Sequence, residues 1–477
     1  MKTAKHLDAA LVAIAFLGAV IGGVGAPLVT SVALNLHVPL DAAQWTLTVT
    51  LFAGAITAPV LGRLGTGEHR RASILVTSSL VALGGLLTAL PLPAGALPFT
   101  ALLLGRALQG LGLGLIALLM SVARDHLPGE RAHSTIATIS VAGTVGIGVA
   151  YPLMGLIDQV AGLRIAYGVG FVISLAAALI AWRTIPKDAP RRTDAQSGNS
   201  RVDYPGAILL AVGTLGVLLT VAQPAVWRMP WAGASILAAS AIALVAWTAV
   251  ERRAAVPLVD LGLLRRGGLL RANAAMLTAG VGMYLLFSLL TRYVQTPSSA
   301  GYGFALSGVL AGAALIPFSV LGFVAGRLTP WLTNRVSTRW TFVIYAAFVI
   351  LAAILFALAP TLLAAVLAAM ALLGFGVGGV SATMPRLLLQ DVPQQETSSV
   401  LSVNQIVRSV GFSIGSAVAG LLLATATRPG ALLPDARGYP IAALYVLPLL
   451  VLSAVLTVAA KSRHVPGGTR RSAEDRL

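Results

Sequence analysis

The chain contains no cysteine in 477 residues. That excludes a disulfide framework, thiolate metal sites and cysteine nucleophiles. Charge is scarce as well. Only 10% of the residues are Asp, Glu, Lys or Arg, against about 25% in soluble domains. A water-soluble fold of this length could not cover its surface with so few charges. Enzyme motifs are missing too. The six histidines show no H-x-x-x-H spacing on an apolar segment. There is no G-x-x-x-x-G-K-[ST] phosphate loop, and the one G-x-S-x-G match, Gly411-Phe412-Ser413-Ile414-Gly415, lies inside an apolar segment and not at a strand-to-helix elbow. The sequence therefore gives no sign of ATP hydrolysis, metal binding or a cofactor.

What is present is apolar: 57% of the residues are hydrophobic. They gather into fourteen segments between residues 8 and 460. A helix needs about 20 apolar residues to cross the hydrocarbon core, and each segment meets or nearly meets that length. Strands of a β-barrel would alternate strictly over about ten residues, which these do not. The expected fold is an all-α integral membrane bundle of fourteen transmembrane helices. The first run, from about Ala9 to Leu36, exceeds the 7–15 apolar residues of a cleaved signal.

The formal net charge is +17. The basic residues fall in short loops between apolar segments, so they read as topology determinants and not as a nucleic-acid face. With a cytoplasmic N-terminus and fourteen crossings, every inside loop is basic. The outside then holds only Arg164, Arg228, Arg292, Arg428 and Arg437. This positive-inside pattern puts both termini in the cytoplasm. Arg outnumbers Lys by 29 to 4, a bias typical of GC-rich bacterial genomes, so the expected location is a bacterial plasma membrane.

Two inside loops are long. They set off an uncharged pair of segments in the middle of the chain. The expected domains are a six-helix bundle at 1–185, a linker at 186–203, two inserted helices at 204–250, a linker at 251–270, a second six-helix bundle at 271–460, and a tail at 461–477. A short repeat supports two halves. Gly62-Arg63-Leu64 ends the second segment, and Gly326-Arg327-Leu328 ends the second segment of the other half. Transporters are often built from such repeats, with the substrate site at their interface near the midplane.

On these residues the chain resembles the major facilitator superfamily, in its fourteen-helix drug:proton antiporter branch. Arg106-Ala107-Leu108-Gln109-Gly110-Leu111-Gly112 fits the family's R-x-x-Q-G-x-G motif. Asp203-Tyr204-Pro205-Gly206, Trp45 and Val32-Ala33-Leu34 also match the branch. The resemblance implies efflux of small amphipathic or lipophilic compounds. Three motifs depart from it. The first-helix Asp position is Ala26 and the Asn position is Ser31. The loop-motif Asp position is Thr66. The fifth-helix motif survives only around Tyr151-Pro152-Leu153-Met154-Gly155. Proton coupling is therefore not carried over with the family.

An ionisable side chain inside the bilayer is costly and marks a candidate site. Arg106, with Gln109 one turn on, either lines a cavity or hydrogen-bonds helix-end carbonyls. Asn404, Arg408, Gly411 and Gly415 form one helical stripe, facing either a wet cavity or a neighbouring helix. Arg292 and Gln295 are a snorkelling pair or an outer gate. Asn35, Trp45, Tyr151, Asn273 and Tyr284 contact substrate or serve helix–helix contacts. Glycines in the first, fifth and twelfth segments suit either bending or close packing.

All sixteen acidic residues map to loops or span ends. Candidates for a proton-carrying group are thus confined to Asp158, Asp41, His37 and His133, all near interfaces. The expected partners are a small-molecule substrate and membrane lipids, with protons open and no nucleic acid. The expected state is a monomer. Uncoupled facilitation, or lipid or metabolite transport, is the alternative on the same fold.

Overall fold

In the computed structural model the chain is described at residues 6–38, 40–64, 70–90, 96–186, 204–222, 226, 229–254, 262, 267–297, 300–390, 392–393, 396–427 and 434–459. Among these residues there is helix and turn but no strand. A bilayer offers no water to backbone N–H and C=O groups, so a helix that satisfies them internally is the natural solution.

The first half comprises α1 (Leu7–Gly23), α2 (Gly25–Leu36), α3 (Leu40–Leu64), α4 (Arg70–Ala89), α5 (Ala96–His126), α6 (Gly129–Ala161) and α7 (Leu163–Thr184). The central pair is α8 (Tyr204–Ala222) and α9 (Pro230–Arg253). The second half comprises α10 (Gly267–Gln295), α11 (Gly308–Ala313), α12 (Ile316–Val336), α13 (Thr338–Leu358), α14 (Leu363–Leu388), α15 (Thr397–Thr425), α16 (Gly438–Leu444) and α17 (Val446–Val458). Among the described residues, eleven helices are long and apolar enough to cross a membrane.

Polar contacts fix which helix ends lie together. Arg131, opening α6, donates to Asp8 at the start of α1 over 2.9 Å. Arg70, opening α4, pairs with Asp125 near the end of α5. Arg124 reaches across to Val392 and Thr397, between α14 and α15. We call this the near end, since α1 begins there.

Helices α1–α7 pack among themselves, and so do α10–α17. The two bundles meet along two seams. At one, α6 lies against α11, α12 and α14; at the other, α3 and α5 lie against α15. The central pair covers the second seam. α8 touches both α3 and α15, and α9 packs on α8. Leu215 and Leu219 of α8 meet Phe52 of α3 and Val410 of α15. The outer side of α9 exposes Trp231, Ile242 and Val245. An apolar exterior of this kind calls for lipid as its solvent.

Glycines act mainly as contact surfaces, because lipid-embedded helices associate through close backbone approach. A Cβ at Gly374 or Gly378 would overlap the α12 backbone at Phe318 or Gly322. Gly376 and Gly379 press on α13 at Tyr345 and Val349. In α6, Gly146 meets Phe16 and Val20 of α1, and Gly148 meets Ser319 of α12. Both α6 and α14 run unbroken through these positions. The first segment differs: α1 stops at Gly23 and α2 restarts at Gly25.

Candidate functional site

The end of a helix leaves carbonyls without intrahelical partners, and they carry the negative pole of the helix dipole. The junction of α1 and α2 is one helical residue, Val24 (φ −51°, ψ −38°), whose N–H donates to the Ile21 carbonyl over 3.3 Å, and it lies inside the first bundle. Arg106 of α5 sits against it. Its Nη1 donates to the Ile21 carbonyl (3.0 Å) and to Gln109 Oε1 (2.6 Å). Its Nη2 donates to the Gly22 carbonyl (3.1 Å), and its Nε to the Thr46 carbonyl on α3 (3.1 Å). Arg106 and Gln109 both have 0% exposure. A Cβ at Gly25 would come within 2.7 Å of Arg106 Nη2, so glycine there leaves room for the guanidinium. Of the two readings open for Arg106 from the sequence, the structure realises the carbonyl-binding one.

The cavity lies elsewhere, between the bundles and toward the near end. It is lined by α5, α6, α10, α14 and α15, so both halves contribute walls. Its room for water-sized centres is about 20 Å³. One water needs roughly 10–15 Å³ on that measure, so the cavity holds little more than a water in this conformation. Met120, Met276 and Met384 supply flexible apolar wall, and Asn404, Gln405 and Arg408 supply polar groups. Asn404 donates to Asn273 Oδ1 over 3.1 Å, joining α15 to α10. Arg408 Nη2 donates to Gln405 Oε1 over 2.6 Å. Its guanidinium lies 6.0 Å from the Phe412 ring centre. Phe412, Tyr284 and Phe287 continue as an aromatic row with centroids 5.4 and 5.6 Å apart.

The cavity is shut at the near end. Arg124, one turn beyond Met120, hydrogen-bonds the Thr397 hydroxyl and the Val392 carbonyl (2.9 Å for the latter). Ser140 donates to the Ser381 carbonyl across the other seam, between α6 and α14. His133 is exposed on the first turns of α6, within electrostatic reach of Arg386, Glu130 and Arg124.

The other expected residues do not gather here. Asn35 is exposed and bonds the Ser31 carbonyl one turn back, at 2.8 Å. Trp45 is 37% exposed and meets Phe52 edge-on. Tyr151 of α6 lies within reach of Gln295 of α10, whose amide donates to the Thr291 carbonyl on its own helix over 2.9 Å. Arg292 is exposed on α10. His37 ends α2 in a left-handed conformation, φ 55°. The Asp41 side chain lies outside the described residues, as do Thr66 and the loop motif around it. Asp158 is half-buried at the far end of α6 and accepts a hydrogen bond from the Ser31 hydroxyl. Tyr167 lies within electrostatic reach of both Arg106 and Asp158, its hydroxyl buried without a hydrogen-bond partner among the described residues. The sequence alone did not single out Arg124, Gln405, Phe412, Tyr167 or the three methionines. Nothing in their local spacing distinguishes them.

Two half-bundles with a cavity shared between them is an arrangement that a family profile can test. Residues 10–416 match the Major Facilitator Superfamily. The chain belongs to this superfamily, and it is a multi-pass membrane transporter. Among curated relatives, the cephamycin export protein CmcT of Amycolatopsis lactamdurans is 28% identical, over 83% of this chain and 80% of its own length. The puromycin resistance protein pur8 of Streptomyces alboniger is 28% identical, over 89% and 85% respectively. The solved structure of the human organic anion transporter MFSD10 superposes with a TM-score of 0.62 at 15% identity, covering 94% of this chain and 99% of that one. A bacterial homologue of ferroportin in an outward-facing state gives 0.61 at 14%, covering 96% and 100%. At such identities the two structures speak for the fold alone. In this transporter the junction cavity lies between the two halves, and among the described residues no carboxylate lines it.

Proposed function

We propose that the chain exports small amphipathic or lipophilic compounds across a bacterial plasma membrane by alternating access. The observation that carries this reading is the cavity walled by both halves and latched at one end by Arg124. Relatives named for cephamycin export and puromycin resistance support the substrate class and the direction. The fourteen-span count is supported by three further apolar helices, Leu7–Gly23, Trp45–Ala58 and Pro205–Val217, beside the eleven long ones. The domain limits at 1–185, 204–250 and 271–460 follow the same division, and the near end is cytoplasmic by its basic residues. The transporter acts as a monomer.

Uncoupled facilitation is the second reading, favoured because no acidic residue lies at mid-span in the sequence. Asp158, held by Ser31, is the carboxylate best placed to restore coupling if protons take part. Expressing the chain in a bacterial strain stripped of its own exporters tests the efflux reading. Accumulation of amphipathic antibiotics is expected to fall, and their inhibitory concentrations to rise. Unchanged accumulation across a broad panel, with the protein present in the membrane, would count against it.

A further inference from the structure

We infer that the junction cavity selects anionic amphiphiles, molecules with a carboxylate or similar acidic group on an apolar body, and that Arg408 is the residue that reads the charge. This rests on the transporter reading and narrows its substrate class.

The two arginines within the spans differ in what their donors do. Arg106 spends its donors on three main-chain carbonyls and the Gln109 amide. Arg408 is also buried, at 8% exposure, yet its guanidinium hydrogen-bonds Gln405 on its own helix. No carboxylate pairs with it among the described residues, unlike Arg70, which pairs with Asp125, and Arg131, which pairs with Asp8. The guanidinium borders the cavity. A buried cation without a counter-charge is unfavourable in a bilayer, and a ligand that brings an anion relieves that cost. A guanidinium also matches a carboxylate geometrically, because its fork can bind two oxygens at once.

The walls suit the other end of such a molecule. Met120, Met276 and Met384 come from three different helices. Thioether side chains are flexible and polarisable, which lets one pocket accept apolar bodies of several shapes. Phe412 and Tyr284 extend the apolar surface beyond the guanidinium. The closed cavity has about 20 Å³ of water-sized room, so the ligand enters only as the seam widens. Cationic amphiphiles meet Arg408 with no acid to offset it, and are disfavoured.

The test uses the purified full-length transporter in phosphatidylcholine vesicles and a matched pair of fluorescent probes. One is a dansylated alkyl carboxylate, and the other is its primary amide with the same body. Binding is read by probe fluorescence and transport by probe release. The carboxylate is expected to bind about tenfold to a hundredfold more tightly than the amide, as one or two charge-assisted hydrogen bonds imply. Arg408→Gln should abolish that preference, and Arg408→Lys should keep part of it, with the size-exclusion profile unchanged in both. Adding anionic phosphatidylglycerol separates two sources of the acidic group. If the lipid displaces the probe, the lipid headgroup also uses the site; if it does not, the site takes the free amphiphile. Either result upholds the inference.

Equal affinity for carboxylate and amide in the wild type would overturn it, as would a preference that survives Arg408→Gln. If both probes are released at equal rates, transport stands and the charge selection falls. If the carboxylate binds through Arg408 but neither probe is released, the selection stands and the transporter reading falls.

Discussion

Arg106→Lys is expected to bring transport to background and to lower the melting temperature of the purified protein. Lysine keeps the positive charge, so a residue that only read substrate charge would survive the change. Arg106 does something else. It ties the carbonyls of Ile21 and Gly22, at the junction of α1 and α2, to Thr46 on α3. A guanidinium reaches these groups because its donors form a rigid fork, whereas an ammonium is a compact point charge. Ile21 keeps the Val24 N–H and Thr46 keeps the Thr50 hydroxyl, so what is lost is the charge-assisted bonds themselves, about 1.5–3 kcal/mol each. Arg106→Ala should be worse, since it also frees Gln109. The junction of α1 and α2 then loses its defined geometry, and with it the placement of α2. Wild-type transport and melting in Arg106→Lys would contradict this account.

A cross-link at the near end is expected to stop transport altogether. A Cβ built at Gly326 lies 3.0 Å from the Val141 Cβ, across the seam between α12 and α6. Disulfides form at Cβ separations of about 3.5–4.5 Å, so a small adjustment suffices. The chain has no cysteine of its own, so the pair Val141→Cys and Gly326→Cys supplies the only thiols. Oxidation should lock this seam closed beside Ser140 and hold the cavity shut toward the near end. Reduction should restore transport to the level of Val141→Cys alone. Full activity in the oxidised, cross-linked protein would mean that the halves do not part there.

The bundle was readable from composition because a bilayer permits few backbone solutions. Once apolar segments of sufficient length appear, helices follow, and the basic loops suggest their direction. The pairing of Arg106 with Gln109 was equally readable, since residues three apart share a helix face. Its purpose was not. The carbonyls it holds come from Ile21, Gly22 and Thr46, which are remote in sequence, and no local pattern announces them. The glycines illustrate the same limit. Glycine in the first span makes room for the Arg106 guanidinium at Gly25, and similar spacing in the twelfth marks a contact with α12. A small residue serves both uses, and only the neighbour decides which. The cavity walls were least legible, because three methionines from α5, α10 and α14 converge only through packing. Asn404 and Arg408, four residues apart, share one helix face by spacing alone, and both border the cavity.

The central claim is that this transporter moves its substrate through the junction cavity by alternating exposure, without a proton-carrying acid at mid-membrane. The direct measurement is release of an amphipathic substrate from proteoliposomes holding the purified protein, with and without an imposed pH gradient. The account predicts substantial release in both, with only a weak effect of the gradient. Release that occurs only with the gradient would contradict it and move the coupling step to Asp158 and Ser31.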